Sequence, residues 1–393
     1  MTLALCFCAA VIEGLDLQSM GIAAGGIAQE FHLQKQALGQ VLTASPFGLF
    51  IGAFIGGRCA DVWGRKTALI LSVILFGVFQ LATIWSSGYD SLLLIRFLCG
   101  LGLGGAFPNL IALTAEASGG RNNILNVIIT AAGMPTGGII SSSIGFLGGP
   151  TGDWRTVFYV GGVAPLLLAP IMMMALPESS LFRQARQTGS ADQPSVLDTL
   201  FASSRVRQTL LLWVAFFCTA LVIHLLLNWL PNLMVAKGFS RPEAFLIQIV
   251  FNVGAATGSV ALGWRMQIRP GRGLVLRCYV ALGAALLVLA SLGHDLLLVG
   301  ATVVCVGAFV LAAQFILYAL CPIYYHTIAR GTGTGASVAA GRLGSATGPY
   351  LGGLLLGAGA SVGEVLQSLL PITATAAIAS LLLMSLPRPQ ELK

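Results

Sequence analysis

The chain of 393 residues is 56% hydrophobic and only 9% charged, and its mean hydropathy is +0.88. Soluble globular proteins carry about 25% charged residues, so this composition excludes that class and indicates a membrane protein. The net charge of +7 could indicate a nucleic-acid partner. In a membrane protein it could instead reflect the basic residues that collect in cytoplasmic loops.

Apolar segments of spanning length follow one another along the whole chain. A helix needs roughly 20 predominantly apolar residues to cross a bilayer. The sequence therefore predicts an all-α membrane protein with twelve transmembrane helices, the fifth and eleventh diluted by Gly, Ser and Thr. The predicted spans are 3–25, 39–57, 67–87, 91–115, 124–147, 156–176, 209–232, 244–264, 274–293, 296–321, 331–357 and 368–386.

The loops between these spans carry an uneven distribution of Lys and Arg. Most of the 21 basic residues lie in loops on the side of the two termini. The loops on the other side hold only Lys35, Arg155, Lys237 and Arg241. Because basic loops stay in the cytoplasm, both termini are predicted to be cytoplasmic, in the inner membrane. The positive charge then needs no nucleic-acid partner.

A polar segment after the sixth span divides the chain into two similar parts. The Ala-Ala-Gly tripeptide at 131–133 in the fifth span recurs at 339–341 in the eleventh. Gly57 recurs as Gly263 at nearly the same offset, which favours a duplicated six-helix unit. The predicted units are an N-terminal bundle at 1–177, a cytoplasmic central loop at 178–208 and a C-terminal bundle at 209–393.

The first span contains two acidic residues, Glu13 and Asp16, near its middle. Their i, i+3 spacing places them on one helix face. An ionised group at the bilayer centre costs about 2.5–3.5 kcal/mol on insertion scales, and such residues commonly mark ion pathways. We expect both to carry protons, the alternative being a polar contact between helices.

The loop after the second span contains Gly57, Asp61, Gly64, Arg65 and Lys66 in the pattern G-x-x-x-D-x-x-G-R-K. The glycines permit a tight turn. The acid and the basic pair can form ion pairs that lock neighbouring helices, so the pattern predicts a gate. The alternative is a basic loop that only fixes topology. The corresponding position in the second half is Gln267, so that copy has lost its acid.

The fourth span contains Gly100, Gly102 and Gly105, which satisfy G-x-G-x-x-G. No strand precedes them, so a dinucleotide fingerprint is excluded. Small residues spaced by four predict close helix packing instead. The pairs with this spacing are Gly100/Gly104, Gly52/Gly56, Gly254/Gly258 and Gly344/Gly348. Glu116 and Arg121, at the end of this span, are expected to join the gate near Arg65, the alternative being a simple interfacial charge.

The eleventh span contains the basic residue Arg342. A guanidinium keeps its proton and binds a carboxylate in bidentate fashion, so Arg342 either pairs with an acid of the first span or captures an anionic substrate. Other polar residues within spans are predicted to contact the same small molecule, or else to hydrogen-bond between helices. These are Asn109, His224, Asn228, Gln314 and Tyr318.

Neither a cofactor nor a metal site is predicted. The eight cysteines include no C-x-x-C pair, and the four histidines are scattered without H-E-x-x-H spacing. A membrane enzyme would need such a set at membrane depth. A receptor or scaffold would leave the paired acids and the arginine without purpose.

The whole chain resembles the major facilitator superfamily, in particular its aromatic acid:proton symporters. The loop pattern at 57–66 matches the superfamily. The group's acid-glycine-x-acid motif is matched at 13–16, with Glu13 where Asp is commoner. The other matching segments are G-R-x-G at 341–344, R-G-T-G at 330–333, W-R at 154–155 and P-E-S at 177–179.

Segments 13–18, 23–29 and 108–114 are most similar to transporters of 3-(3-hydroxyphenyl)propionate. The resemblance implies two pseudo-symmetric six-helix bundles and import of an aromatic monocarboxylate with protons by a monomer in the lipid bilayer. Carriers of benzoate, hydroxybenzoate or muconate share most of the pattern. A drug:proton antiporter of the same superfamily is a further alternative, which Arg342 disfavours.

Overall fold

The computed structural model describes residues 1–117, 126, 129–149, 152–178, 206–268, 271–325 and 330–387, and these residues are almost entirely helical. The α-helices are α1 (Thr2–Glu30), α2 (Lys35–Trp63), α3 (Arg65–Ala82), α4 (Tyr89–Gly104), α5 (Ala106–Ala117), α6 (Gly133–Gly148), α7 (Arg155–Ala175), α8 (Val206–Ala236), α9 (Arg241–Ile268), α10 (Arg272–Ser291), α11 (Leu296–Leu320), α12 (Arg330–Gly357) and α13 (Val362–Leu383). Short 3₁₀ turns at Thr83–Trp85 and Cys321–Tyr324 follow α3 and α11.

Ten helical segments in the described part of the chain are long and apolar enough to cross a membrane. One of them runs through α4 into α5. Helices α6 and α12 are not among these ten segments: the described part of α6 has only 16 residues, and Gly, Ser and Thr dilute the hydropathy of α12. They are the fifth and eleventh spans of the sequence prediction, and with them the fold has twelve spans. The predicted all-α membrane fold is confirmed.

The two halves of the molecule pack by the same pattern. In the first half α1 packs on α6, α2 on α4, and α3 on α7. In the second half the equivalent pairs are α8 on α12, α9 on α11, and α10 on α13. The halves meet through α2 with α12 and α6 with α9, two contacts related by the same symmetry. The predicted unit boundaries at 1–177, 178–208 and 209–393 remain a prediction, because most of the central segment lies outside the described residues.

Small residues allow the paired helices to approach closely. A Cβ atom at Gly254 would lie 2.9 Å from the Cα of Val304, and one at Gly100 would lie 2.9 Å from the Cα of Ser45. The other glycines of the predicted spacing also face a neighbouring backbone. The prediction that these pairs serve packing is confirmed.

The halves are joined at one end of the molecule and separate at the other. We call the end where α1 begins and α13 finishes the terminal end, and the opposite one the far end. One continuous apolar core spans both halves at the far end, from Ile27 in α1 to Leu230 in α8. At the terminal end each half has its own apolar clusters. The described structure is therefore closed at the far end.

Candidate functional site

A cavity lies between the halves at the middle of the spans. Helices α1, α6, α8, α9, α11 and α12 form its wall, and its free volume is about 100 Å³. Much of the wall is apolar, with Leu227, Phe251 and Phe315 among the larger side chains. The polar side chains gather in two groups, one around Arg342 and one around Gln18. Such a wall suits a small molecule with an apolar body and a few polar groups.

Arg342 is the charged centre of the first group. It lines the cavity and is 8% exposed. His224, Gln314 and Tyr318 line the cavity with it, and Gln314 hydrogen-bonds Tyr318. Arg342 interacts electrostatically with His224 and Tyr318. Four of the residues that the sequence indicated for substrate binding are thus neighbours on one cavity wall.

Glu13 lies behind this group within electrostatic reach of Arg342. It is buried, and neither carboxyl oxygen has a hydrogen-bond partner among the described residues. A buried carboxylate without hydrogen bonds is costly, so Glu13 depends on the positive charge of Arg342 while it is ionised. Glu13 and a ligand carboxylate would compete for the single positive charge of Arg342.

Asp16 has a different partner from Glu13, although the two residues are three positions apart. Its Oδ1 atom accepts a hydrogen bond from Nη2 of Arg96 at 3.1 Å, and both side chains are buried. Arg96 also donates to Oε1 of Gln80. The sequence offered either acid of the first span as a partner for Arg342. In the structure Glu13 lies within electrostatic reach of Arg342, whereas Asp16 pairs with Arg96.

Arg96 and Gln80 were not predicted as site residues. The signal was present, since a single Arg inside a span must find a partner. Which acid it meets depends on the crossing of α1 and α4, and hydropathy does not encode that crossing.

The second polar group joins the two halves. Gln18 in α1 and Asn252 in α9 exchange hydrogen bonds, from Gln18 Nε2 to Asn252 Oδ1 and from Asn252 Nδ2 to Gln18 Oε1, both at 2.8 Å. Gln248 Nε2 donates to the same Gln18 oxygen at 2.9 Å. We call these three residues the amide clasp. It forms the cavity wall towards the far end and was not predicted.

Asn109 and Asn228 do not reach the cavity. The amide of Asn109 donates to the carbonyl oxygen of Gly105, and that of Asn228 to the carbonyl oxygen of His224, each within its own helix. Neither lines the cavity. Since i, i+4 bonds to the backbone are a common way for a buried side chain to satisfy its amide, sequence alone could not separate these residues from true wall residues.

The loop motif forms a tight turn at the terminal end. Gly64 has φ of 96°, a conformation that favours glycine, and it separates α2 from α3. Glu178, beyond the end of α7, accepts a hydrogen bond from the backbone N–H of Lys66 at 3.0 Å. The Lys66 ammonium donates to the carbonyl oxygen of Met173 at 2.8 Å.

Glu178 thus caps the first turn of α3, where a carboxylate is favourably placed. Glu178 belongs to the P-E-S segment at 177–179, and the sequence did not indicate it as a gate residue. A Cβ atom at Gly57 would meet nothing within 4 Å, so no neighbouring group in the described conformation requires glycine at this position. The side chains of Asp61 and Glu116, and all of Arg121, lie outside the described residues, so their predicted place in the gate is not tested.

No group of three or more His, Cys, Asp or Glu residues able to hold a metal ion occurs in the described part of the chain. The polar side chains on the cavity wall include an arginine, an imidazole, amides and a phenol, and the Glu13 carboxyl lies close to the arginine. These groups can bind an anion and carry a proton.

Comparison with known proteins shows the family of the chain. The Major Facilitator Superfamily pattern matches residues 6–349. The 3-(3-hydroxy-phenyl)propionate transporter of Escherichia coli is 42% identical over 388 residues, covering 98% of this chain and 94% of that protein. The 4-hydroxybenzoate transporter PcaK of Pseudomonas aeruginosa is 32% identical, covering 96% and 91%.

A solved structure has the same architecture. The inward-open xylose transporter XylE of E. coli superposes with a TM-score of 0.78 at 15% identity, over 99% of this chain and 96% of that one. This likeness concerns the fold alone. From the matched sequence pattern and the end-to-end relatives, we conclude that the chain is a multi-pass membrane transporter and belongs to the major facilitator superfamily.

Proposed function

We propose that this transporter imports an aromatic monocarboxylate, such as 3-phenylpropionate or its hydroxyphenyl analogue, together with a proton. The observation that carries the proposal is the place of Arg342 on the cavity wall, within electrostatic reach of a buried Glu13 carboxyl that has no hydrogen-bond partner among the described residues. The names of the two relatives support an aromatic acid as the substrate.

Charge competition at Arg342 couples the anion to the proton. While the cavity is empty, Arg342 stabilises the Glu13 carboxylate. When a substrate carboxylate takes the guanidinium, Glu13 loses that stabilisation and binds a proton, because an isolated buried charge is costly. Asp16 is a second proton carrier, held by Arg96. Gln314, Tyr318 and His224 orient the substrate around Arg342.

Proton coupling also offsets the cost of moving an anion against the membrane potential. Moving a lone anion into the cell opposes the potential by about 2.3 kcal/mol per 100 mV. One proton makes the step electroneutral, and two would let the potential drive uptake.

Alternating access then moves the substrate across the membrane. The terminal end is the cytoplasmic end, so both termini face the cytoplasm of the inner membrane and the closed far end faces the periplasm. The loop at 57–66, with Glu178 and the predicted partners Glu116 and Arg121, holds the cytoplasmic end shut when the far end opens. The working unit is the monomer, with 1–177 and 209–393 rocking as bundles about the 178–208 loop.

Uptake by proteoliposomes with an imposed pH gradient, acid outside, tests the proposal. Wild-type protein is expected to accumulate labelled 3-phenylpropionate only while the gradient lasts, and a protonophore should stop accumulation. Uptake that ignores the gradient would rule out proton symport. A competition panel of benzoate, hydroxybenzoates, muconate and a cationic dye separates the aromatic acids from each other and from a drug antiporter.

A further inference from the structure

The amide clasp forms the far-end wall of the cavity, away from Arg342. Gln18 and Asn252 both line the cavity and are 3% and 1% exposed. A Cβ atom at Gly138 would lie 2.5 Å from Oδ1 of Asn252, so glycine at this position leaves the room that the pair needs. The clasp is therefore a built polar element at the cavity and not a loose surface contact.

The clasp keeps hydrogen-bonding capacity after its own bonds are made. The Nε2 atom of Gln18 has two N–H groups and makes one hydrogen bond among the described residues, to Oδ1 of Asn252. That oxygen accepts one bond and has two lone pairs. A donor and an acceptor thus lie side by side. A hydroxyl group, which donates one hydrogen bond and accepts others, complements both of them.

The clasp lies further along α1 than the acid beside Arg342. Gln18 follows Glu13, which is within electrostatic reach of Arg342, by five residues, and a rise of 1.5 Å per residue separates the two by about 7.5 Å along the helix axis. In an extended arylpropionate, carbon–carbon bonds of about 1.5 Å place a meta ring hydroxyl about 7 Å from the carboxyl carbon. A benzoate is shorter by two chain carbons, so its ring hydroxyl lies closer to its carboxylate.

We propose that Gln18 and Asn252 bind the ring hydroxyl of an arylpropionate whose carboxylate is held at Arg342, and so determine specificity for hydroxylated rings. This inference rests on the proposed function. Its physical basis is that a buried site built to hydrogen-bond a hydroxyl loses affinity for a ligand without one, because its polar groups are left unpaired.

The test compares two ligands on purified full-length protein in nanodiscs, by calorimetry. The ratio of the Kd of 3-phenylpropionate to that of 3-(3-hydroxyphenyl)propionate is expected to be at least about tenfold in wild-type protein, since two net hydrogen bonds are gained. Gln18→Met and Asn252→Leu keep side-chain volume but remove the amides. Each should bring the ratio to between one and about two, with the Kd of 3-phenylpropionate changed less than about threefold.

Thr219→Val is the matched control, because it removes a buried side-chain hydrogen bond, to Tyr279, inside one half. It should keep the wild-type ratio. Gly138→Ala serves as a second variant that disturbs the pair without altering an amide, and it should also lower the ratio.

Three outcomes would overturn the inference. A wild-type ratio near one, or an unchanged ratio in both amide variants, means that the clasp does not bind the hydroxyl. An equal change in both ligands means that the clasp is only a latch between the halves. Wild-type protein that binds neither ligand instead refutes the proposed function itself.

Discussion

The ion pair of Asp16 and Arg96 makes a prediction at the residue scale. Arg96→Met leaves the Asp16 carboxylate buried without its charged partner, and breaking a buried pair costs about 3–5 kcal/mol. We expect a large fall in the Tm of the detergent-solubilised protein, recovered in part as the pH falls, because protonation removes the uncompensated charge. Thermal unfolding across a pH series measures it.

The double variant Asp16→Asn/Arg96→Met is the control for this pair. It removes both charges and should be more stable than Arg96→Met alone. Because Asp16 is a proposed proton carrier, the double variant should also lose proton-driven accumulation while retaining exchange. If Arg96→Met melted like wild-type protein at every pH, the pair would not contribute to stability.

Arg342→Lys tests whether the fork of the guanidinium or only its charge holds the substrate. Lysine keeps the charge and loses the bidentate geometry. The Kd of 3-phenylpropionate is expected to rise by about tenfold or more, measured by calorimetry. Arg272→Lys is the matched control, since Arg272 is exposed at the start of α10 and bonds the carbonyl oxygen of Met384. An equal, small effect of both changes would remove Arg342 from the site.

Site residues could be predicted from the sequence where their chemistry is unusual in their surroundings. Glu13 and Arg342 are charges inside spans; Arg342 lines the cavity, and Glu13 lies within its electrostatic reach. The sequence did not indicate Gln18 and Asn252, because uncharged amides are common in membrane helices and their meaning depends on what faces them. A long-range pair such as Gln18 with Asn252, 234 positions apart, is set by the packing of the two halves.

At the scale of elements, glycine spacing makes a prediction about helix packing. Gly254→Ala would place a Cβ atom against the backbone of Val304, whereas Gly283→Ala meets nothing within 4 Å. Both lie within helices, where alanine is intrinsically favoured by about 0.5–1 kcal/mol. We therefore expect Gly254→Ala to lower the Tm and Gly283→Ala to keep or raise it. A loss of stability in both would mean that packing does not distinguish them.

Helix existence and packing faces were readable from sequence, because hydropathy and small-residue spacing act within one helix. The ends of the helices were harder to predict from the sequence. The first span was predicted at 3–25 and the helix extends to Glu30, where Arg155 and Trp154 both donate to the Glu30 carboxylate. The last turns of α1 are polar, so hydropathy does not include them in the span, and they contact the start of α7.

At the scale of the whole molecule, the internal repeat predicted two similar halves, and the repeated pairings of α1 with α6 and α8 with α12 agree with it. The end at which the halves close was not predictable. A transporter of this kind has at least two conformations of similar free energy, and one sequence must satisfy both. The far-end contacts therefore form in one conformation and break in the other. A covalent cross-link between the halves should be needed to keep this end closed.

Gln36→Cys/Gly357→Cys would tie the far end. A Cβ atom at Gly357 lies 3.4 Å from the Cβ atom of Gln36, close to the separation of about 3.5–4.5 Å in disulfides. Both positions are exposed, so an oxidant can reach them. We expect a disulfide between α2 and α12, detected by peptide mass spectrometry, and loss of 3-phenylpropionate uptake that dithiothreitol restores. Ligand binding in detergent should survive, because the disulfide leaves the terminal end, where each half has its own apolar clusters, free to open.

Gln36→Cys/Gly283→Cys carries two new thiols without bringing them together, and oxidation should leave its uptake unchanged. The disulfide holds the halves only where α2 meets α12, so its effect isolates far-end opening from every other step. Full uptake by the completely cross-linked protein would mean that the substrate does not enter through this end. Alternating access about the central cavity would then be wrong for this chain.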